Sequence, residues 1–533
     1  MPSVHHVRRA LYICASCTRS LQNGLRHPPV RVAAVARPSP PPSPNTYSSS
    51  NAYSTTSPAV AKKPMRLAIV GSGPAGFYTA HRLMKHLPDA VVDMYEKLPV
   101  PYGLVRFGVA PDHPEVKNCQ DTFEQVAASE RFTYVGNVEV GKTLALVDMK
   151  PHYDAIMFAY GASEDRKLGI PGEDTYSGVY SAREFVGWYN GHPDFSHLNP
   201  TLDMGEHAVV VGQGNVALDV ARILVKPLDQ LRTTDIAEHA LAALSRSKIK
   251  RVEIAAFTVK EARELMHFPN VGFKSDAKTF YPHDLGILPR AQKRIADILI
   301  GGSLCNKKDH RKRWQLSFLK SPVAILPSRK APDHVGSIML QKNAFVPNTD
   351  RLSKDAKVVP TDENVQSPAS VVFRSVGYKS AALPGFEHLG IVFDDKLGII
   401  PNDAYGRILS PSKGPGPLSA AHLPGLYAVG WVKRGPTGVI VSTMMDAFTT
   451  SDAIVQDWKS DAQFLNTEKG VNKSTGLGWH GVKNKVLAQG VVPVDWAAWK
   501  RIDMEEREKG KTLNKKREKF TSFEQMMLAA GIA

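Results

Sequence analysis

Two glycine-rich turns constrain the fold of this chain more than any other feature. The first is Gly71-Ser-Gly-Pro-Ala-Gly76, and the second is Gly212-Gln-Gly-Asn-Val-Ala217. Each turn follows a short apolar run and precedes a segment of helical periodicity, which is the unit that binds a dinucleotide pyrophosphate. Two such units in one chain predict an α/β fold with two Rossmann-like dinucleotide-binding domains and electron transfer between two nucleotides.

The first turn is accompanied by a carboxylate at the expected distance. Gly71 permits the tight turn, Gly73 lets the backbone approach a pyrophosphate, and Gly76 allows close packing of strand and helix. Glu96 ends a second apolar run and suits hydrogen bonding to ribose hydroxyls. Because a carboxylate there repels a 2′-phosphate, the first site is predicted to hold FAD or NAD rather than NADP. The alternative interpretation is a glycine turn beside a solvated glutamate.

A third glycine-rich segment lies near the C-terminus. Gly425–Gly430 predicts a strand that enters a turn, and a helix is predicted from about Val439. The free N–H groups at such a helix start suit an anion or the edge of a flavin. Trp431, directly after the turn, is interpreted equally well as a cover for a ring or as a core residue.

Residues 1–64 have the composition of an organelle transit peptide. They contain six arginines and two lysines but no acidic residue. The alternative is a tail that carries no targeting signal. Beyond this leader the chain has 59 basic and 51 acidic residues, an excess too small to indicate nucleic-acid binding. It fits a basic face toward an acidic protein partner equally well.

Cysteine usage disfavours two flavoprotein classes. Cys14 and Cys17 form a CxxC pair inside the leader, while Cys119 and Cys305 stand alone. A thiol-disulfide reductase needs a CxxC beside a glycine turn, and a glutamate-synthase-like subunit needs N-terminal cysteine clusters, so both classes are disfavoured. No metal site is predicted. No apolar run approaches the roughly 20 residues that span a bilayer.

Three longer segments, Tyr95–Lys117, Gly212–Asp219 and Gly430–Ile440, are more specific than the glycine pattern. They resemble the adrenodoxin reductase family, the mitochondrial NADPH:ferredoxin oxidoreductases and their bacterial relatives. The resemblance runs from about Met65 to the C-terminus, with two loops outside it, at about Ser328–Ser367 and Ser410–His422. It implies a glutathione-reductase-like architecture. An FAD-binding domain is formed by residues 65–164 and 372–533, and an NADP-binding domain of residues 165–371 is inserted between them.

The resemblance also implies site residues by matching motifs. The FAD contacts, with the first turn, are Gly71, Gly73, Ala75, Gly76, Glu96, Leu104, Val140, Trp431, Gly438, Val439 and Ile440. The NADP contacts are Gln213, Gly214, Asn215, Val216, Glu261 and Gly438. His113 and Glu261 are candidate catalytic residues for proton handling or nicotinamide positioning, although a histidine in a Pro-Asp-His-Pro turn also has a plain structural interpretation.

The implied reaction carries electrons from NADPH through FAD to an acidic [2Fe–2S] ferredoxin, which feeds P450, iron–sulfur or haem pathways. Basic residues that match the family's docking positions are Arg263, Arg290, Lys293 and Arg294. An ordinary solvated face is the alternative for each. The implied location is the mitochondrial matrix or the matrix face of the inner membrane, and peripheral membrane association is left open. Lys509–Lys519 is predicted to be a solvated extension.

One departure from the family concerns the second nucleotide. Members carry a Gly-Arg-Arg-Gly-Pro turn whose arginines hold the 2′-phosphate, but about eight residues are absent here between Ile254 and Ala255. A dianionic phosphate favours a bidentate guanidinium pair. Either a short coding stretch is missing from the sequence, which is the favoured interpretation, or the protein lacks this clamp. In the second case the alternative function is a degenerate FAD-binding protein with impaired NADPH use.

Overall fold

The structure is a computed structural model that describes residues 63–532. Within that range, the description leaves out residues 213, 257–270, 276–280, 283, 305–310, 348, 350–355, 411–420 and 467–475.

The described strands, in chain order, are β1 (Arg66–Val70), β2 (Val91–Tyr95), β3 (Phe132–Val135), β4 (Ala155–Phe158), β5 (Glu164–Asp165), β6 (Val179–Ser181), β7 (His207–Val211), β8 (Arg251–Ala256), β9 (Val271–Ser275), β10 (Lys312–Phe318), β11 (Lys320–Pro327), β12 (Val335–Phe345), β13 (Val358–Pro368), β14 (Val371–Arg374), β15 (Tyr378–Lys379), β16 (Arg407–Leu409) and β17 (His422–Ala428).

The described α-helices are α1 (Pro74–His86), α2 (Leu104–Phe107), α3 (Gln120–Ala127), α4 (Leu146–Met149), α5 (Ala182–Tyr189), α6 (Asn215–Val225), α7 (Leu228–Arg232), α8 (Glu238–Ser245), α9 (Arg290–Leu304), α10 (Trp431–Arg434), α11 (Ile440–Lys459), α12 (Trp479–Ala488), α13 (Trp496–Thr512) and α14 (Phe523–Ala529). A 3-10 helix, Pro114–Cys119, precedes α3.

Sheet 1 has the strand order β16-β17-β4-β1-β2-β3. The strands β17, β4, β1, β2 and β3 are parallel, and β16 pairs antiparallel to β17 at the edge. The strand that precedes the first glycine turn, β1, therefore lies inside the sheet, next to β2. Because β16 and β17 come from the C-terminal part of the chain, sheet 1 is built from two separate segments.

Sheet 2 has the order β6-β14-β7-β8-β10-β9, with all neighbours parallel. Its strands run from Val179 to Arg374. The sheet is thus inserted in sequence between the two segments of sheet 1. Here β7 precedes the second glycine turn and lies inside the sheet beside β8.

Both sheets are covered on two faces. Alternate residues of β1 join different apolar clusters, Leu67 and Ile69 on one side and Ala68 and Val70 on the other. The strand β7 divides its residues between two further clusters in the same way. Parallel strands buried on both faces appear in sequence as continuous apolar runs, which is why the sequence predicts them. The α/β fold with two Rossmann-like units is confirmed.

A two-stranded ribbon and a three-stranded sheet lie outside sheets 1 and 2. The strands β5 and β15 form an antiparallel ribbon where the chain passes from sheet 1 to sheet 2 and back. The strands β11, β12 and β13 form an antiparallel sheet. The prediction of a loop at Ser328–Ser367 was therefore wrong, because alternate residues such as Ile338 and Leu340 are buried and stabilise β12 as a strand. Among the described residues, no helix combines the length and apolar character needed to cross a bilayer.

The C-terminal tail corrects a second prediction. The segment Lys509–Lys519 was predicted to be solvated because it is rich in Lys and Arg. Lys509, Lys511 and Lys516 are exposed as predicted, but Lys515, Glu518 and Lys519 are buried, at 6%, 4% and 2% exposure. Each of the three buried residues pairs with a charged or backbone partner supplied by a distant part of the chain. Composition does not reveal such partners, so it indicated solvation.

Candidate nucleotide-binding and electron-transfer site

The first glycine turn joins β1 to α1. Gly71 has φ 109°, and a Cβ there would lie 2.7 Å from the backbone of Ala159 and Tyr160. A Cβ on Gly76 would overlap the carbonyl oxygen of Gly71. By contrast, a Cβ on Gly73 would meet no atom within 4 Å. The outer glycines therefore keep the turn compact, and the middle one borders open space.

Glu96 follows β2 directly and lies beside this turn. One carboxylate oxygen accepts hydrogen bonds from the N–H (3.2 Å) and the hydroxyl (2.7 Å) of Ser72, and the other accepts from the N–H of Leu98 (3.1 Å). Three donors thus orient a partly buried carboxylate. The sequence analysis missed Ser72, although its place inside the glycine turn was a usable signal.

The helices after the three glycine segments begin without a capping side chain. The N-cap residues are Gly73 for α1, Gly214 for α6 and Val439 for α11, and none of these helices has an acidic residue in its first turn. Such a helix start leaves N–H donors and the positive end of the helix dipole available. Phosphate oxygens bind well at this type of site.

In the second turn, as in the first, the first glycine is closely packed and the middle glycine borders open space. Gly212 has φ 118°, and a Cβ there would overlap the backbone carbonyl of Ser375. A Cβ on Gly214 would meet no atom within 4 Å. Asn215 is exposed and Val216 is partly buried at the start of α6. The second turn therefore also combines a compact first glycine with open space beside the middle one.

The two turns differ at the end of the neighbouring strand. The N–H of Gly212 donates to the carbonyl of Ala255 at 2.9 Å. In the first turn the corresponding bond reaches Tyr95 at 2.8 Å, and Glu96 is the next residue. Ala256 therefore has the register position in sheet 2 that Glu96 has in sheet 1.

The C-terminal turn is held by a residue that the sequence analysis missed. Gly430 has φ 71°, and its N–H donates to Asp446 Oδ2 at 2.7 Å. The other oxygen of Asp446 pairs with the buried Lys433 ammonium at 2.8 Å. Asp446 lies on α11, so it fastens the start of the turn to the helix that follows. A Cβ on Gly430 would lie 2.8 Å from the Cβ of Ala75 in α1, so the first and third glycine segments adjoin.

The remaining predicted flavin residues have varied environments. Trp431 is partly buried, with its ring 5.4 Å from the ring of Tyr378. Val439 is 54% exposed and Leu104 is 36% exposed. Ile440 packs partly buried against the core of sheet 1, and Val140 is buried at 4% in the cluster on the opposite face. Val140 therefore has a structural role whatever its role toward a ligand.

His113 lies in a loop that is held by residues at the end of α6, the helix that follows β7 of sheet 2. Its Nδ1 lies 3.1 Å from Glu115 Oε1, and its side chain is 24% exposed. The preceding residue, Asp112, accepts hydrogen bonds from Arg222 Nε (2.9 Å) and from Lys226 (2.7 Å), both near the end of α6. Burial alone would raise the pKa of Asp112, but these two cations hold that pKa at about 2. The buried ion pairs fix the loop that carries His113.

The predicted docking residues that the structure describes are Arg290, Lys293 and Arg294. All three are exposed on α9, which has no acidic residue in its first turn. Gln213, Glu261 and Arg263 lie outside the described residues. Ile254 and Ala255, between which the arginine turn is missing, are neighbours within β8.

Known proteins resemble this chain closely. The family described as "Pyridine nucleotide-disulphide oxidoreductase" matches residues 65–257. The "Probable NADPH:adrenodoxin oxidoreductase, mitochondrial" of Schizosaccharomyces pombe is 41% identical over 494 residues, with 89% of this chain and 96% of the relative covered. The "NADPH:adrenodoxin oxidoreductase, mitochondrial" of Homo sapiens is 39% identical, with 92% and 96% covered.

A solved structure, "Mycobacterium tuberculosis FprA in complex with NADPH", has a TM-score of 0.75 at 36% identity, and the match covers 88% of this chain and 100% of FprA. These similarities confirm the predicted fold class and oxidoreductase class, and the relatives' names confirm the mitochondrial location. With close to 40% identity over about nine-tenths of its length, this chain belongs to the NADPH:adrenodoxin oxidoreductase family.

Proposed function

We propose that this chain passes electrons from NADPH through FAD to an adrenodoxin-type [2Fe–2S] ferredoxin in mitochondria. The observation that carries the proposal is the pair of matching glycine turns, one beside Glu96 and the other beside Ala256. Two dinucleotide sites of different ribose chemistry in one chain fit a reductase that uses two different nucleotides.

FAD fits the first and third glycine segments. Gly73 leaves open space beside the backbone, α1 and α11 start uncapped, and the two segments adjoin through Ala75 and Gly430. The proposed contacts are Gly71, Gly73, Ala75, Gly76, Glu96, Leu104, Val140, Trp431, Gly438, Val439 and Ile440. When bound, FAD supplies the coupling between a hydride donor and a one-electron acceptor.

NADPH fits the second turn. Ala256 has no charge to repel a 2′-phosphate, and Gly214 leaves space for the pyrophosphate beside α6. The proposed contacts are Gln213, Gly214, Asn215, Val216, Glu261 and Gly438. Two interpretations explain the missing arginine turn. Either a short coding stretch is missing from the sequence, or the protein lacks the turn and has a weaker preference for NADPH over NADH.

His113 and Glu261 are proposed to position the nicotinamide or to handle a proton. For His113 the support is its anchored loop, because Asp112 binds Arg222 and Lys226 of α6 while the imidazole stays partly exposed. A rigid loop that reaches from one sheet to the helix of the other suits a residue at a junction of two nucleotides.

An acidic ferredoxin is proposed to dock on Arg290, Lys293 and Arg294 of α9, with Arg263. For the three residues of α9, the support is their exposure and like charge on a single helix. Such a face accelerates encounter with an acidic partner and loses effect as salt increases. The same basic face would also serve peripheral association with the inner membrane.

The domain boundaries follow the same proposal. Residues 65–164 and 372–533 would form the FAD-binding domain, and residues 165–371 the NADPH-binding domain. The strands support these boundaries, because no described strand of sheet 1 comes from residues 165–371. The ribbon of β5 and β15 lies where the chain leaves the first domain and where it returns to it.

The test is reduction of cytochrome c by the purified protein with NADPH and a [2Fe–2S] ferredoxin. We expect a visible flavin spectrum and a rate that depends on the ferredoxin and decreases with salt. A protein that binds flavin but is reduced by neither NADPH nor NADH would refute the proposal and support the degenerate FAD-binding alternative. Sequencing the transcript across Ile254–Ala255 decides whether the gap is real.

A further inference from the structure

The buried tail between α13 and α14 is fastened first to sheet 1. Glu506 of α13 is fully buried and pairs with the buried Arg106 of α2. The same carboxylate accepts hydrogen bonds from Arg517 (2.7 Å) and from the backbone N–H of Phe520 (2.9 Å). The tail therefore follows a fixed path over the element that begins at Leu104, a predicted flavin contact.

The tail then reaches the segment between α7 and α8, which belongs to the part of the chain that forms sheet 2. Lys515 donates to the carbonyl of Ile236 at 2.6 Å, and Glu518 accepts from the N–H of Glu238 at 3.0 Å. Lys519 donates to the backbone carbonyl of Asp235 and pairs with its carboxylate, each at 2.9 Å. Three tail side chains thus bind three residues, Asp235, Ile236 and Glu238, of the other fold.

Asp235 also binds the loop that carries His113. Lys117, four residues after His113, donates to both oxygens of Asp235 at 2.8 and 2.7 Å. The His113 loop is therefore fixed on both sides, by Asp112 to α6 and by Lys117 to Asp235. Asp235 is the point where the first fold, the second fold and the tail meet.

At Asp235, two ammonium groups share a single carboxylate. Both Lys117 and Lys519 pair with it, and Arg106 adds a third nearby positive charge that acts on Lys519. Burial, together with the nearby Lys117 and Arg106 cations, lowers the pKa of Lys519 to about 7. Buried ions keep their place only when partners surround them, so such a cluster favours one arrangement over others.

We propose that the tail segment Lys515–Phe520 is a positioning element that holds the second fold against the His113 loop, and that Lys519 is its main residue. The proposal rests on the proposed function, since it concerns the alignment of the two nucleotides for hydride transfer. Reaction rates depend steeply on such alignment, and a displacement of about 1 Å costs up to about 100-fold. Lys519 itself touches neither nucleotide in this proposal and acts through Asp235 and Lys117.

The test uses the full-length holoenzyme with Lys519→Met, and with Lys519→Gln as a milder change if the first variant folds poorly. The matched control is Lys516→Met, because Lys516 is exposed in the same segment. Anaerobic stopped-flow measures the limiting rate of flavin reduction by NADPH and the nucleotide concentration that gives half of it. We expect the limiting rate to decrease by about tenfold, with flavin content and half-saturation unchanged and the control equal to wild type.

The pH profile separates positioning from simple stability. In the wild type, the limiting rate should show an ionisation near pH 7 that Lys519→Met lacks. A variant rate equal to that of wild type, or a loss that only parallels loss of flavin, would overturn the inference. If the wild-type flavin is not reduced by NADPH at all, the proposed function fails instead, so the two failures are distinguishable.

Discussion

The two glycine turns share one backbone design. In both, the strand before the turn receives a hydrogen bond from the chain that leaves a neighbouring strand, from Ala159 to Val70 at 2.8 Å and from Ser375 to Val211 at 2.7 Å. Both turns need their first glycine because this neighbouring chain lies against it. Similar backbone geometry at two places indicates a shared physical task, which we propose is to hold a pyrophosphate.

The difference between the turns lies in one side chain. Glu96, held by Ser72, follows the strand beside the first turn, and Ala256 has that position beside the second. A carboxylate suits a ribose with free hydroxyls, whereas an uncharged residue such as alanine does not repel a 2′-phosphate. The comparison shows how one backbone unit, used twice, can serve two different nucleotides.

Filling the open space in the first turn should have the largest effect. Gly73→Val should reduce FAD affinity by about 100-fold or more, because its Cβ would extend into open space beside the backbone, where no protein atom lies within 4 Å. Flavin absorbance and the thermal unfolding midpoint check this. Gly301→Val is the control, since a Cβ there also meets no atom within 4 Å. Normal flavin content in Gly73→Val would contradict the assignment of this turn.

The same change in the second turn should affect only the nicotinamide nucleotide. Gly214→Val should retain FAD and increase the KM for NADPH by about 50-fold, because its Cβ points into space that the protein leaves open. Steady-state kinetics with a dye acceptor, together with the flavin spectrum, measure both properties. Loss of FAD in this variant would mean that the two turns do not serve separate nucleotides.

Introducing the missing carboxylate should make the turns alike. Ala256→Glu should lower the ratio of kcat/KM for NADPH over NADH by about tenfold, because a carboxylate at this register position repels the 2′-phosphate. Ala256→Gln has nearly the same size without the charge and serves as the control. Equal ratios in the two variants would show that charge at this position does not set the preference.

The last expected effect is on stability and concerns the ion pairs where the His113 loop meets α6. Because the pKa of Asp112 is about 2 in the fold, below its ordinary value, its stabilisation is complete above about pH 4 and is lost as the pH falls toward 2. Asp112→Asn should lower the free energy of unfolding at pH 7 by about 2 kcal/mol and flatten its pH dependence in that window. Urea unfolding measures this. Asp229→Asn, at an exposed pair with Arg232, should change little.

Local signals in the sequence predicted much of the site and little of what supports it. The glycine spacing, the position of Glu96 and the C-terminal turn are set by neighbouring residues, so they can be read along the chain. Asp446 and the buried Lys519 act on residues that are distant in sequence, and composition alone indicated solvation for the tail. Long-range ion pairs leave no periodic pattern, which explains why both were missed.

The most direct test of the two-nucleotide account is anaerobic titration of the wild-type holoenzyme with NADPH and, separately, with NADH, followed by flavin absorbance. The account predicts bound flavin that one equivalent of NADPH reduces rapidly and that NADH reduces more slowly. Flavin reduced equally fast by both would contradict the different ribose chemistry of the two turns, and flavin reduced by neither would contradict the second nucleotide site itself.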